Sequence, residues 1–477
     1  MLSEFDGQGI DLQFEVEVAV SEQPGARLQV RNDARQPVCP VMVGGRPAGY
    51  LIGHAVDIDR GELVEKQLDL EEAESPAAVA EHALRALNGS FLLLLDYAGE
   101  VWAYPDASAT VGLVYAPERG KAGSSAQVVL GDKYDALLRR DLIQAFGADN
   151  DGWFTAGLTA HDGLFRLLPN HRLNLLTWET ERFWPIEMPA YRDDVDPMLR
   201  DMGSEMDTVI AALAAARPIT QCLTGGNETR ALLACNSARS ETEFMSLSLP
   251  VTGLDLHLAK ILAETHGLEL RILPGVKADA GATEVWIKAA GNALSGMNAV
   301  WSPSVAPLAG RYLIGGLGGE VGRGFLWTSE LQGTDKIGTS VLLGLLKLPK
   351  HPLLIAAIER WMEDLPPDLD AYQFLDLAYL ELRLGPWGFA QPRLADSPVD
   401  ISPMISRRQF ERMWSLPPGF RRSPGFLRRL VELHDARLLD VPINRYGDWR
   451  DRLTPLVRAA QRPDRALRKL RKLLVTR

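Results

Sequence analysis

Between positions 219 and 234 the chain reads Ile-Thr-Gln-Cys-Leu-Thr-Gly-Gly-Asn-Glu-Thr-Arg-Ala-Leu-Leu-Ala. An apolar, strand-like run enters a glycine turn and a helix-forming run leaves it. That succession aims backbone N–H groups and the positive end of a helix at one point, where an anion can sit. Gly225 and Gly226 let the backbone approach phosphate oxygens without Cβ obstruction. Thr224 and Thr229 offer hydroxyl donors, and Glu228 offers a carboxylate for a cation beside the phosphates. The set read as nucleotide-binding is Thr224, Gly225, Gly226, Asn227, Glu228, Thr229 and Arg230, with Ser248 and Gly316 from neighbouring segments. Arg230 and Arg323 flank the two glycine segments and would offset phosphate charge, or be ordinary surface arginines; Lys260 and Lys288 are weaker candidates. The stretch lacks the Gly-Lys-Ser/Thr ending of a Walker A loop.

A second cluster, Leu313-Ile314-Gly315-Gly316-Leu317-Gly318-Gly319-Glu320-Val321-Gly322-Arg323-Gly324, repeats the pattern of a strand entering a glycine turn with an acid on it. Glu228 and Glu320 are the candidate metal ligands. The first segment resembles the pyrophosphate loop of the asparagine-synthetase superfamily, Ser-Gly-Gly-x-Asp-Ser, with threonines for the serines and Glu228 for the aspartate. The second resembles that superfamily's Gly-x-Gly-x-Asp-Glu, with Glu320 on the aspartate position and Val321 replacing the neighbouring acid. Leu317 stands where a β-lactam synthetase has its tyrosine, so the proton-transfer residue stays unassigned. Asp255 also matches a family position, an acid opening the helix after the second sheet strand, and equally reads as an N-terminal helix charge. Tyr379 to Trp387 and Ser402 to Arg408 resemble the helical end of these synthetase domains, so the likeness runs from about Asp196 to Pro442.

The N-terminal half is similar to the class II glutamine amidotransferase fold of the same superfamily. The matching pieces are Asn88-Gly89-Ser90-Phe91, Tyr104-Pro105-Asp106-Ala107-Ser108, Leu167-Leu168-Pro169-Asn170-His171 and Arg182-Phe183-Trp184-Pro185. Glutaminases of that fold use an N-terminal cysteine. This sequence begins Met1-Leu2 and its first cysteine is Cys39, so glutamine hydrolysis is not expected. The resemblance implies an N-terminal Ntn-hydrolase-like αββα sandwich (1–190), then a doubly wound parallel-sheet synthetase domain of the adenine-nucleotide α-hydrolase type with a helical end (197–445). It further implies ATP with Mg²⁺ and amide formation through an acyl-adenylate. The amine would come from a small-molecule or peptide substrate, as in β-lactam synthetases and in lasso-peptide cyclases of RiPP biosynthesis, where a partner protein of the same biosynthetic cluster could act with it. A non-catalytic paralogue that binds a partner, and a base-adenylating nucleic-acid-modifying enzyme, are the alternatives.

The elements that must position these residues are readable in outline. Ser90 to Asp96 and Val101 to Tyr104 read as a hairpin across Tyr97–Glu100, Ala126 to Gly131 as a further strand, and Pro76 to Leu87 as a helix. Glu187 to Pro197 is acidic and proline-bounded, and reads as a linker. Met198, Leu199, Met202, Met206, Val209, Ile210 and Leu213 recur at helical spacing as a core stripe. Strands at 244–249 and 268–273 alternate with a helix at 254–266 that carries His257 and His266, read as structural histidines. Beyond Lys336 the pattern is mostly helical, and 446–477 ends in a basic helix whose arginines and lysines suit RNA, anionic lipid, a partner or the protein's own acidic surface.

The whole chain sets outer bounds. It has 477 residues, 46% of them hydrophobic and 24% charged, enough for two domains with large cores. A net charge of −11 argues against general nucleic-acid affinity. Three cysteines, Cys39, Cys222 and Cys235, form no disulfide framework and no paired metal motif, which fits a reducing compartment. With no secretory start and no apolar run of membrane-span length, a cytoplasmic protein is expected.

Overall fold

The computed structural model describes residues 2–4, 14–18, 27–33, 35–389, 397–422 and 425–452. Residues 453–477, where the basic terminal helix is expected, lie outside the described residues. No helix among the described residues is long and apolar enough to cross a membrane.

Two sheets occupy the first 182 positions. One is six-stranded and contains Phe14–Val18, Leu28–Asn32 and Lys121–Gly123; the other is eight-stranded and is built on Arg46–Asp57, Leu87–Tyr97 and Glu100–Pro105. They pack face to face. Phe14, Val16, Leu28 and Val30 of the first meet Ile52, Leu92, Leu94 and Val101 of the second in one buried cluster. Alternation along Leu87–Tyr97 sends Phe91, Leu93 and Leu95 to the opposite face, against Val79, Ala80, Ala83 and Leu84 of the helix Pro76–Ala86. Beyond the other sheet, Ala126, Val129, Leu130 and Tyr134 form a further apolar layer. The layers therefore run helix, sheet, sheet, helix.

The segment expected as a strand at 126–131 is a helix, Ala126–Leu130. Its apolar run is too short for periodicity to separate strand from helix. Ser125 decides it, since its side chain accepts the Val128 N–H at the helix start.

The second sheet system is parallel throughout. Its strands are β1 (Ile219–Cys222), β2 (Thr242–Ser248), β3 (Leu270–Pro274), β4 (Tyr312–Ile314) and β5 (Val399–Ile401), in the order β3-β2-β1-β4-β5. The helices that matter here are α1 (Val195–Ala216), α2 (Asn227–Cys235), α3 (Gly253–His266), α4 (Ala371–Tyr379) and α5 (Gly425–Asp435). The start of α1 takes Val195–Pro197 out of the expected linker. Period-two alternation divides the strands between two cores. Ile219, Phe244, Tyr312 and Ile314 join the large cluster with α1, α2 and α5, whereas Met245, Leu273 and Leu313 pack with Leu308 on the other face. Strand β5 is three residues long and pairs with β4 from far along the chain, so no local pattern announces it.

Candidate functional site

The strand order reverses at β1 and β4. The chain goes from β1 to β2 and β3 on one side, then returns to place β4 on the other. In open parallel sheets the crevice at the carboxyl ends of two such strands is the ligand site, because the two crossovers leave it unfilled. Both glycine segments lie there. Thr224–Gly226 leaves β1 and enters α2, and Gly315–Gly318 leaves β4 and enters the short helix Gly319–Gly322.

The two bends touch. A Cβ on Gly316 would lie 2.7 Å from Glu228 Cβ and 3.3 Å from the Thr229 amide nitrogen, and one on Gly319 would lie 2.9 Å from Glu228 Cγ. Side chains larger than hydrogen would force the bends apart. Gly318, at φ +97°, makes the turn between them.

Helix α2 starts at Gly226 with no side-chain cap among the described residues, so its first N–H groups keep their capacity for an anion. The loop before it is fastened from within. The Thr224 and Thr229 hydroxyls are 2.9 Å apart, and Thr224 Oγ1 accepts the Gly226 N–H at 3.1 Å. Asp255, on the first turn of α3, accepts the Gly225 N–H at 3.2 Å, so its carboxylate anchors the loop as well as sitting at a helix start. Ser248 is exposed at the carboxyl end of β2, beside the same crevice.

The two acids face one bend. Glu228 Oε1 pairs with Arg323 Nε at 2.8 Å. Glu320 turns back to accept the Gly318 N–H at 3.0 Å. Burial raises the Glu320 carboxyl above its ordinary range, the charge of Glu228 raises it further, and Arg323 opposes the shift. A divalent cation between two such acids would relieve that repulsion. No group of three or more His, Cys, Asp or Glu side chains that could hold a metal ion occurs among the described residues.

Arg230 is not where a phosphate would need it. Its side chain is buried, and the guanidinium donates to the carbonyls of Leu438 and Val441 and, at 2.9 Å, of Pro442. Burial pulls it down to about 10. This corrects its reading as a phosphate partner: at the fourth position of α2 it points into the core side. Its role is to bind the segment after α5 to α2, and that segment then reaches the loop, where the Asn444 N–H donates to the Gly225 carbonyl at 2.9 Å. Lys288 pairs with Glu284 at 3.4 Å, and Lys260 is exposed on α3. His257 meets Arg450 at 3.1 Å.

Sequence reasoning missed Asn444 and Arg421, and it met Tyr379 only as the first residue of the helical-end resemblance, with no role given to it. Tyr379 ends α4. Burial pushes its hydroxyl well up, the charges of Glu320 and Glu228 add to this, and Arg383 and Arg323 oppose it. Its ring lies 4.7 Å from that of Phe325. Arg421 is buried and binds Asp376 through two hydrogen bonds of 2.7 and 2.9 Å while donating to the Val321 and Gly322 carbonyls, which fixes the second bend from behind. Asn444 and Arg421 are about 100 positions or more from the bends they hold, so no local spacing signals them.

No family model matches this chain, and no curated protein matches it. Among solved structures, a glutamine-dependent NAD+ synthetase from Acinetobacter baumannii in complex with adenosine diphosphate aligns at 14% identity and a TM-score of 0.19, over 46% of this chain and 44% of that one. An NMN synthetase from Francisella tularensis aligns at 16% identity and the same TM-score of 0.19, over 47% of this chain and 96% of that one. The chain thus spans less than half the length of the first. Likeness at these TM-scores supports nothing beyond itself; the parallel α/β fold rests on the strand order above.

Proposed function

We propose that this chain is an ATP-dependent, AMP-forming amide ligase with its nucleotide at the switch point of the parallel sheet. The observation that carries this is the contact between the two glycine bends at Gly316 and Glu228, at the carboxyl ends of β1 and β4. The uncapped start of α2 and the paired threonine hydroxyls would bind the β- and γ-phosphates, and Glu228 and Glu320 would share a Mg²⁺ with them. A substrate carboxylate oxygen attacks the α-phosphorus, the bond to the β-phosphate oxygen breaks, and pyrophosphate leaves with the electron pair. A substrate amine nitrogen then attacks the acyl carbon, the bond to AMP breaks, and the amine loses a proton. The chain's own residues supply positioning and a fixed set of donors for the departing charge.

The glutaminase-like half contributes no exposed thiol from its cysteine. Cys39 is buried in the strand Val38–Val43, with Sγ 3.1 Å from the Glu65 carbonyl, and burial raises the thiol. The nitrogen in this reading is an amine already on a substrate, and closure of a peptide macrolactam is the form of the reaction favoured by the sequence resemblance. A second reading, a non-catalytic nucleotide-binding protein, draws on the pairing of Glu228 with Arg323.

Exchange of labelled pyrophosphate into ATP, in the presence of candidate acids, separates the two. Glu228→Gln should abolish the exchange. Unchanged exchange in that variant would remove Glu228 from the site, and tight binding of a non-hydrolysable ATP analogue without any exchange would favour the non-catalytic reading.

A further inference from the structure

Arginines around the two glycine bends are held in two different ways. Arg421 is buried and bound by Asp376 and by the Val321 and Gly322 carbonyls; Arg230 is buried and bound by the Leu438, Val441 and Pro442 carbonyls. Several fixed acceptors hold such a side chain in one place. Arg323 has neither burial nor a set of acceptors. It follows the short helix Gly319–Gly322, and its side chain is 45% exposed. Among the described residues its guanidinium has one partner, Glu228, with Nε 2.8 Å from Oε1.

Glu228 is the less exposed member of that pair, at 20%, and it touches both bends. Its Oε2 would lie 3.6 Å from a Cβ on Gly226, in the first bend, and its Cγ 2.9 Å from a Cβ on Gly319, where the second bend enters its helix. The guanidinium therefore covers the carboxylate that joins the bends, and this is a carboxylate that the ligase reading assigns to Mg²⁺. A guanidinium and a divalent cation on one carboxylate group are close enough to repel strongly, so each weakens the other's hold.

An arginine half in water gains little from a single ion pair, since water competes for both partners and the long side chain gives up rotamer freedom. Arg323 is thus placed to neutralise Glu228 in an empty site and is free to leave it. Its planar fork then matches a phosphate group through two parallel donors.

We infer that Arg323 is an exchangeable counter-ion. It covers Glu228 while the site is empty, gives the carboxylate up to the divalent cation that accompanies the nucleotide, and then pairs with the polyphosphate. This rests on the ligase reading for the identity of the incoming ligand; the covered carboxylate does not. The pair that favours a non-catalytic protein is, on this account, the resting state of a working site.

The test uses the full chain and two readouts whose signs differ. Without nucleotide, Mn²⁺ is titrated and its binding followed by electron paramagnetic resonance. With Mn²⁺ saturating, which removes the competition for Glu228 from every protein compared, α,β-methylene-ATP is titrated by calorimetry. Arg323→Ala should bind Mn²⁺ about tenfold more tightly than the unaltered chain, because a positive charge beside the ion is gone. It should bind the analogue about tenfold more weakly, through loss of a charge-assisted phosphate contact. Arg323→Gln should show the same two signs, which separates charge from side-chain bulk. Adding Glu228→Gln to Arg323→Ala should abolish the gain in Mn²⁺ affinity, which locates it at that carboxylate. A merely structural arginine would lower both affinities together when removed. Either sign missing in both folded variants, or a Mn²⁺ gain that survives without Glu228, would overturn the inference. Failure of the unaltered chain to bind the analogue at any Mn²⁺ concentration would overturn the ligase reading and the phosphate half of the exchange with it. Normal analogue binding with unchanged variants leaves the ligase reading and removes Arg323 from the site.

Discussion

Gly315 and Gly316 are neighbours on one bend, and replacing each by alanine should have opposite consequences. A Cβ on Gly315 meets nothing within 4 Å, whereas one on Gly316 would fall 2.7 Å from Glu228 Cβ and 3.2 Å from the Glu228 carbonyl carbon. Neither glycine has a left-handed φ, so backbone strain does not distinguish them. The contact on Gly316 is with backbone and the root of a side chain at the start of α2, and neither can swing away without moving the helix. Overpacking of this kind costs about 1–3 kcal/mol, and about 1.4 kcal/mol is a tenfold change in an equilibrium. The displaced helix start would also carry its N–H groups away from the phosphates. Gly316→Ala should therefore lower the urea midpoint and weaken binding of an ATP analogue by about tenfold or more. Gly315→Ala should leave the midpoint unchanged or raise it slightly, by up to about 1 kcal/mol, through lost unfolded-state entropy. The measurements are denaturation followed by fluorescence and calorimetric titration of the analogue. Equal behaviour of the two variants would refute the claim that the bends are in contact and that this contact shapes the site.

Glu381 is fully buried and accepts from Arg182 at 2.7 Å through both oxygens, from Asn170 at 2.8 Å and from Trp361 at 2.6 Å. Glu381→Ala leaves the Arg182 guanidinium, 5% exposed, without its counter-charge, and should cost about 3–5 kcal/mol, read as a lower denaturation midpoint. His161 is 4% exposed, neither ring nitrogen has a partner among the described residues, and burial pulls its pKa from 6.5 down to about 4. The unfolded chain therefore takes up a proton near pH 6.5 that the folded chain refuses until about 4. Stability attributable to this group should fall as the pH drops through that window, by about 3 kcal/mol in all, and His161→Phe should flatten the dependence in denaturation series at pH 7, 5.5 and 4.

The sequence by itself determined the local devices. Strand, glycine turn and helix at 219–234 are contiguous, so their geometry follows from backbone preferences within about 15 residues. The same holds for the core stripe of α1 and for the hairpin at 90–104. The alternation of strands and helices also made a parallel sheet legible before any pairing was known. Short runs resisted: Ala126–Leu130 is apolar enough for either state, and a single serine cap settled it.

Only the tertiary structure decided what meets what. That Gly316 lies against Glu228 depends on β4 pairing with β1 across about 90 positions, and such a contact leaves no periodic trace. Arg230 looked like a phosphate partner because it follows the loop, yet one helical turn rotates it into the core, where carbonyls from 438–442 claim it. The motifs of the N-terminal half gave no function as isolated strings. Folded, one of them joins the two halves, because Asn88 donates to the Pro403 and Ile405 carbonyls more than 300 positions away. Local sequence fixes the shape of each turn through sterics; burial and long-range pairing select which turns share a site.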